Sequence, residues 1–540
     1  MFEKANKPLI LFSLSIMAAL MLPMGLFPEK SAELIGNVFG FITMDLAWLF
    51  MLIGVVCLGV AIFLIGSKYG DIKLGGADAQ PHYKTFTWIA MMLCSALAAG
   101  ILIFGMIEWM YYVTGTPFGV EPMSTEAYEY ASAYGMFHWG FSAWSFYLLP
   151  GIAIGYMYWN RKVGSLLVSD ACSEVLGTKK TSHRVLRYLV DGFVAFTYIG
   201  GLMTTIALGT PVMAELISSL TGMPNTFGLR IAVIVVFCIF FMLSTSKSIA
   251  KGMAKISNFN IKLAIGFFAF VLIVGPTNFM LNNFTMAVGK NIDEFFKMSF
   301  YTDAIAQTGF VQGWTIFYWA WYVGLAILTG VWIARISYGR SFREIAIATV
   351  VWAPIACWIT FAILGNYGMS LELSGELMLS QIILEQGSSA ATLAVLQTLP
   401  LASLAIIVFL VLIFFNLATS ATAMATSLSI LTSVGLKEDE EPNKYYKLFW
   451  SFIFLALPVS ILFLEHNVEG LNILNTIKSL TTLYAIPVLF VMALLIVSFV
   501  KAIKKDIQSG EILNSIESHK RFKWMNIQTE TSEKVKLKMK

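Results

Sequence analysis

Apolar residues run in blocks along this chain. Blocks long enough to cross a bilayer fall near 8–27, 47–66, 86–113, 136–159, 186–220, 231–246, 259–282, 312–334, 345–365, 397–434, 446–464 and 476–500. The pattern predicts an all-α membrane protein with twelve transmembrane helices. The blocks at 186–220 and 397–434 exceed the roughly 20 residues that a spanning helix needs, which predicts tilt, a break or an extension into water. The first block follows Lys4 and Lys7 and is too long for a signal-peptide core, so it reads as a retained span.

The block from Gly313 to Arg343 has the most pronounced internal pattern. Trp314, Tyr318, Trp321, Tyr322 and Leu325 recur at helical spacing, so one face of the predicted helix is almost wholly aromatic. The block carries no charge from Trp314 to Ala334 and then stops on Arg335, Arg340 and Arg343. Interfacial anchoring accounts for Trp314 better than for Trp321 and Tyr322, which lie near mid-span.

Polar positions between the blocks set the orientation. Of the 36 Lys and Arg, Lys30, Arg230, Lys290, Lys297 and Lys478 fall in alternate loops together with many acids, and Lys262 lies within a span. The other 30 occupy the termini and the opposite set of loops, which predicts both termini in the cytoplasm of a multi-pass protein of the cell (inner) membrane. After two N-terminal spans (1–85) come five spans over 86–283 and five more over 312–503. An odd count per unit forces the second to be inverted relative to the first, the LeuT-like arrangement in which substrate is held near the midplane by interrupted helices. In the third span Ser95–Gly100 is a run of small residues suited to such an interruption. Between the units, 284–311 contains an amphipathic segment, Ile292–Phe300, read as an extracellular surface helix. The segment 504–540 reads as a basic, soluble cytoplasmic tail, with attraction to anionic inner-leaflet lipid as the alternative.

Composition removes other classes. With 58% hydrophobic and only 13% charged residues, the chain has too little charge to cover a soluble fold of this length. Its partner is the bilayer, and no nucleic acid is indicated. The five cysteines lack paired spacing, so neither a disulfide framework nor a metal site is expected, and no cofactor either. Hydrolase and phosphate-loop motifs are absent and the histidines are scattered, which argues against an enzyme.

What remains is a set of aromatic rings. Phe137–Tyr147 opens the fourth span with Trp139, Trp144 and Tyr147, and Glu108–Tyr112 closes the third with Tyr111. Together with Trp321 and Tyr322 these build a cage. A quaternary ammonium has no N–H to donate and sheds water cheaply, so the attraction left to it is the negative face of aromatic rings, worth up to about 2 kcal/mol per ring when desolvated. Intramembrane polar residues are the other candidates: Thr419, Ser420, Thr204, Thr205, Asn260, Lys262 and Glu108. Hydroxyls of this kind often bond their own helix backbone, Lys262 can snorkel to the interface, and Glu108 lies near a mouth. His138 reads as a structural neighbour of the cage.

The stretch WTIFYWAW followed by IARISYGRSFRE resembles the signature of the betaine–carnitine–choline transporter family, and HWG with its following W-x-x-Y is a second match. The resemblance covers the chain apart from its tails. TPFGVEP at 116–122, SFYTDAIA at 299–306 and EWMYY at 108–112 look most like the carnitine/γ-butyrobetaine antiporter branch. It implies a trimeric, twelve-helix, inverted-repeat transporter of trimethylammonium compounds, with a cage of Tyr111, Trp139, Trp321 and Tyr322 flanked by Trp144, Tyr147 and Trp314. Where family members usually carry Trp this chain has Tyr322, and the Gly-x-Gly-x-Gly of sodium-coupled carriers is reduced to Ala96-Leu-Ala-Ala-Gly100. The antiporters replace bound sodium with an arginine and a methionine, which align here with Asn260 and Thr329. Thr419 and Ser420 match the hydroxyl pair that binds sodium in symporters. The expectation is therefore sodium-coupled uptake of glycine betaine, carnitine or choline, with sodium-independent antiport as the alternative and a non-transporting osmosensor or receptor as a further one.

The orientation is open to a direct check. Cysteines introduced at Glu126 and Glu376 should react with an impermeant thiol reagent added outside, and one at Lys437 only from inside; labelling of all three from one face would overturn the inverted arrangement.

Overall fold

The structure is a computed structural model that describes residues 4–96, 99–163, 167–179, 182–244, 247–434, 442–454, 456–468 and 473–510. Among the described residues the regular structure is helical, apart from two isolated bridges, Ala5 to Ser433 and Lys73 to Ser341. Nine of these helices are long and apolar enough to cross a membrane, and Ala99–Thr114 and Phe227–Leu243 are shorter apolar helices. The basic tail from residue 511 lies outside the described residues, as do residues 97–98 within the small-residue run of the third span.

Several block boundaries move, each for a local reason. The fourth block is two helices, Thr125–His138 and Phe141–Gly155, separated at Trp139 and Gly140. The block expected at 259–282 ends earlier: the helix Lys247–Val274 stops before Gly275 and Pro276, and Thr277–Asp293 begins anew. Proline offers no N–H to continue a helix, so it sits at the new N-terminus instead. The amphipathic element therefore starts well before Ile292. It lies along Thr125–His138, with Asn291 donating to the Ala133 carbonyl (3.0 Å) and Lys290 paired with Glu129 (3.2 Å). The block expected from 397 becomes a helix only at Ala402, because Leu401 takes a left-handed conformation (φ 58°). Two further helices, Pro28–Asp45 and Leu379–Gln397, were not marked by an apolar run.

Three helices set the centre of the bundle. Phe141–Gly155 and Ile316–Ile336 run parallel, and they touch backbone to backbone: a Cβ on Gly330 would stand 2.7 Å from the Pro150 Cβ and 2.9 Å from the Gly151 nitrogen. Only glycine permits that approach. Ala99–Thr114 runs antiparallel to Ile316–Ile336, with Tyr112 against Trp314, Glu108 against Tyr318 and Gly100 against Trp321. Behind them the long helix Ile473–Gln508 is keyed by Tyr484, whose ring fills the space a side chain would need at both Gly200 and Gly324.

The segments assigned to one side by their basic residues meet at one end of the fold. The chain start joins the end of Ala402–Leu431 through Asn6 N–H to Thr432 O (2.8 Å) and Val434 N–H to Lys4 O (2.7 Å). Arg343 pairs with Asp71 (2.7 Å), and Arg161 bridges Glu174 and Asp506. Burial opposes ionisation of Glu174, but the hydrogen bond from Lys505 and the charge of Arg161 outweigh it and hold that carboxyl below the usual range.

Candidate functional site

The aromatic site begins at the break between Thr125–His138 and Phe141–Gly155. Gly140 has φ −100° and ψ −149°, and a Cβ there would lie 2.4 Å from the Met136 carbonyl oxygen. The His-Trp-Gly sequence is thus a helix end, and it leaves Trp139 projecting from the junction. Opposite it, Ile316–Ile336 is preceded by a widened turn, Val311–Thr315, of the kind that recurs at functional sites. Gly100 supplies the floor: a Cβ on it would meet Trp321 at 3.3 Å and Trp139 at 4.0 Å.

Three of the sequence-derived cage residues come together. Trp139 stands edge to face with Trp321 (centroids 6.0 Å, 78°) and with Tyr322 (6.1 Å, 83°). The series continues through Tyr147, 5.5 Å from Tyr322, to Trp144, 5.4 Å from Tyr147. Phe104 and Tyr318 close the other side of Trp321 at 6.0 and 6.1 Å. Tyr111 stands apart from this group, its ring contact being to Trp314 at 5.2 Å.

Glu108 holds the arrangement together. It is fully buried, not a residue of the mouth. One carboxylate oxygen accepts from Trp139 Nε1 (2.9 Å) and from the Tyr318 hydroxyl (2.7 Å), and the other accepts from the Tyr112 hydroxyl. The same hydroxyl oxygen lies 2.7 Å from His138 Nδ1, whose Nε2 is 3.0 Å from Thr315 Oγ1. With Tyr112 donating to Glu108, His138 Nδ1 must carry a proton and donate to the Tyr112 oxygen. His138 is, as expected, a supporting neighbour rather than a wall of the cage. Two polar atoms of the cage have no hydrogen-bond partner among the described residues: Trp321 Nε1 and the Tyr322 hydroxyl, both buried. A buried donor left unpaired costs about 1–3 kcal/mol, so these are the places where a ligand oxygen is worth most.

Profile comparison agrees with the geometry. The description "BCCT, betaine/carnitine/choline family transporter" matches residues 8–508. The chain belongs to the betaine/carnitine/choline transporter family. Among its relatives a carnitine transporter of Acinetobacter baumannii is 32% identical over 448 residues, covering 82% of this chain and 80% of the relative. An uncharacterized transporter of Escherichia coli K12, YeaV, is 29% identical over 456 residues, or 84% of this chain and 92% of the relative.

The ion-coupling candidates of this betaine/carnitine/choline family member are dispersed. Thr419 is half-buried and donates to the carbonyls of Phe415 (2.9 Å) and Asn416 (3.0 Å) in its own helix, and Ser420 beside it is half-buried too. Thr205 likewise donates to Gly201 (3.0 Å). Thr204 also donates to its own helix, at the Gly200 carbonyl (2.8 Å), and in addition meets the Tyr484 hydroxyl (2.8 Å) and Thr481 (3.4 Å) in a buried cluster. Asn260 is buried, its Nδ2 3.5 Å from the Leu412 carbonyl and its Oδ1 without a partner among the described residues. Thr329 is half-buried, and Lys262 is exposed on the helix flank.

One residue was missed. Lys478, counted above among the loop cations, lies inside Ile473–Gln508, is 6% exposed, and holds its ammonium 3.3 Å from the Trp314 ring centroid and 5.6 Å from that of Phe317. Its place just inside the start of the last apolar block, with apolar and hydroxyl residues on both sides, was the only signal the sequence offered.

Replacing Glu108 should separate folding from function. Glu108→Gln keeps the shape but cannot accept from all three donors, so trimethylammonium affinity should fall about tenfold, the equivalent of ~1.4 kcal/mol, while the detergent-solubilised protein stays monodisperse. Titration of intrinsic tryptophan fluorescence measures it; unchanged affinity would remove Glu108 from the site.

Proposed function

We propose that this chain is a secondary transporter of quaternary trimethylammonium compounds such as carnitine, glycine betaine or choline, working by alternating access around the Trp139, Trp321 and Tyr322 rings. The observation that carries the reading is their convergence from two parallel helices, with Trp139 held by a fully buried carboxylate. Such rings bind a methylated cation without needing a hydrogen bond from it. The relative named as a carnitine transporter supports the substrate class.

Uptake coupled to sodium near Thr419 and Ser420 is our reading of the driving force. The Thr419 hydroxyl keeps its oxygen lone pairs free after donating to its own helix, Ser420 offers a second hydroxyl beside it, and a hard cation takes oxygen ligands. Exchange without sodium is the second reading, favoured by the lysine ammonium already fixed against Trp314.

Reconstitution tests both parts. Trp321→Leu should preserve the fold but lose one cation–π contact of about 2 kcal/mol, a ~30-fold loss of affinity for trimethylammonium ligands. Normal binding in both Trp321→Leu and Trp139→Leu would refute the cage. In proteoliposomes, uptake of labelled carnitine should rise with a sodium gradient and lose that response in Thr419→Ala. Sodium-free exchange that neither sodium nor Thr419→Ala changes would establish the second reading.

A further inference from the structure

Lys478 has no role in the cage as described, yet it is buried with its ammonium on an aromatic face. Its placement is fixed from both sides. Tyr484, six residues further along the same helix, is locked between Gly200 and Gly324, and Trp314 is clamped by Tyr111 and Tyr112 at 5.2 and 5.0 Å. We propose that Lys478 is the residue that recognises the carboxylate of the substrate, and so selects zwitterionic trimethylammonium acids over plain cations such as choline. The inference rests on the transporter reading above and adds the second pole of the substrate to it.

Geometry supports the assignment first. Trp314 and Trp321 are seven residues apart on one helix, so they share a face and lie about 10 Å apart along its axis. Phe317, whose ring is 5.6 Å from that of Trp321 and 5.6 Å from the Lys478 nitrogen, connects the two positions. A cation at Trp321 and a carboxylate on the Lys478 ammonium therefore define one elongated site. An extended γ-amino acid chain separates nitrogen from carboxyl carbon by about 5 Å, and glycine betaine by only about half of that. With a charged hydrogen bond of about 2.8 Å added, the longer chain closes most of the distance. The unpartnered Trp321 Nε1 and Tyr322 hydroxyl are further donors along it.

Charge supports it next. Glu108 is a fully buried acid that acts electrostatically on Lys478, and a carboxylate balances an ammonium. A zwitterion enters without disturbing that balance. Choline brings a positive charge that nothing compensates, in a medium where uncompensated charge is costly. The ammonium also covers Trp314, which steers a methylated cation to the Trp139 and Trp321 rings instead.

The test is a ratio of affinities in the full-length protein, read by tryptophan fluorescence. Wild type should bind γ-butyrobetaine at least about tenfold more tightly than choline or the methyl ester of γ-butyrobetaine. Lys478→Met should erase the difference, weakening γ-butyrobetaine while leaving choline unchanged or improved, and Lys478→Arg should retain it. A merely structural lysine would weaken all three ligands alike. The inference is overturned if wild type does not discriminate the acid from its ester, or if Lys478→Met keeps the wild-type ratio. The ester comparison needs no variant, so it can overturn the inference even if Lys478→Met fails to fold, and Lys478→Arg then carries the assignment to the lysine. If wild type binds none of the ligands, the transporter reading itself fails, and the inference falls with it.

Discussion

A carboxylate buried among aromatic rings is the constraint on which the centre of this protein depends. Glu108 carries a charge that is expensive to bury alone, and the structure meets that cost with three hydrogen-bond donors, each on a ring or a ring substituent. The donors come from three separate helical segments, so satisfying one carboxylate also fixes how those segments sit. Trp139 is held at a helix break, Tyr318 in the first turn of its helix and Tyr112 one turn along from Glu108 itself. Losing any of these partners leaves either a buried charge less solvated or a buried donor unpaired, which is why the polar centre and the aromatic cage act as one unit.

Glycines make that unit reachable. The close approach at Gly151 and Gly330 brings the Trp139 junction beside the Trp321 helix, and Gly100 leaves room for the edges of both rings to approach the opposing segment. Gly200 and Gly324 receive Tyr484 and thereby set the register of the helix that carries Lys478. Bilayer solvation gives little drive for helices to associate, so close van der Waals packing at small residues has to supply it.

Much of this was legible in the sequence. Apolar blocks are a strong signal in a membrane protein because backbone satisfaction forces helices, and among the described residues each predicted block falls mostly on helix. The aromatic face of the Trp321 helix and the junction tryptophan were visible from spacing and residue type. What stayed hidden depended on long-range packing. Hydropathy does not register a break such as that at Trp139 and Gly140, since the residues on both sides are apolar. Charge counting placed Lys478 in a loop because it treats every lysine near a span end as solvated. Glu108 read as a mouth residue for the same reason. In both cases the partner that makes burial possible, Trp314 for the lysine and Trp139 with Tyr318 for the acid, is more than 30 residues away in sequence.

Magnitudes argue that the cage alone is an incomplete site. Trp139 packs edge to face on Trp321 and on Tyr322, and each such ring pair is worth about 0.5–1.5 kcal/mol. A trimethylammonium group that parts them exchanges ring–ring contact for cation–π contact of up to about 2 kcal/mol per ring, so the net gain per ring is small. Binding must also offset lost translational freedom of several kcal/mol. A substrate held only by its cationic head would therefore bind weakly. In the proposed reading the remaining affinity comes from groups the cage cannot use, the substrate carboxylate meeting the buried donors and the buried ammonium.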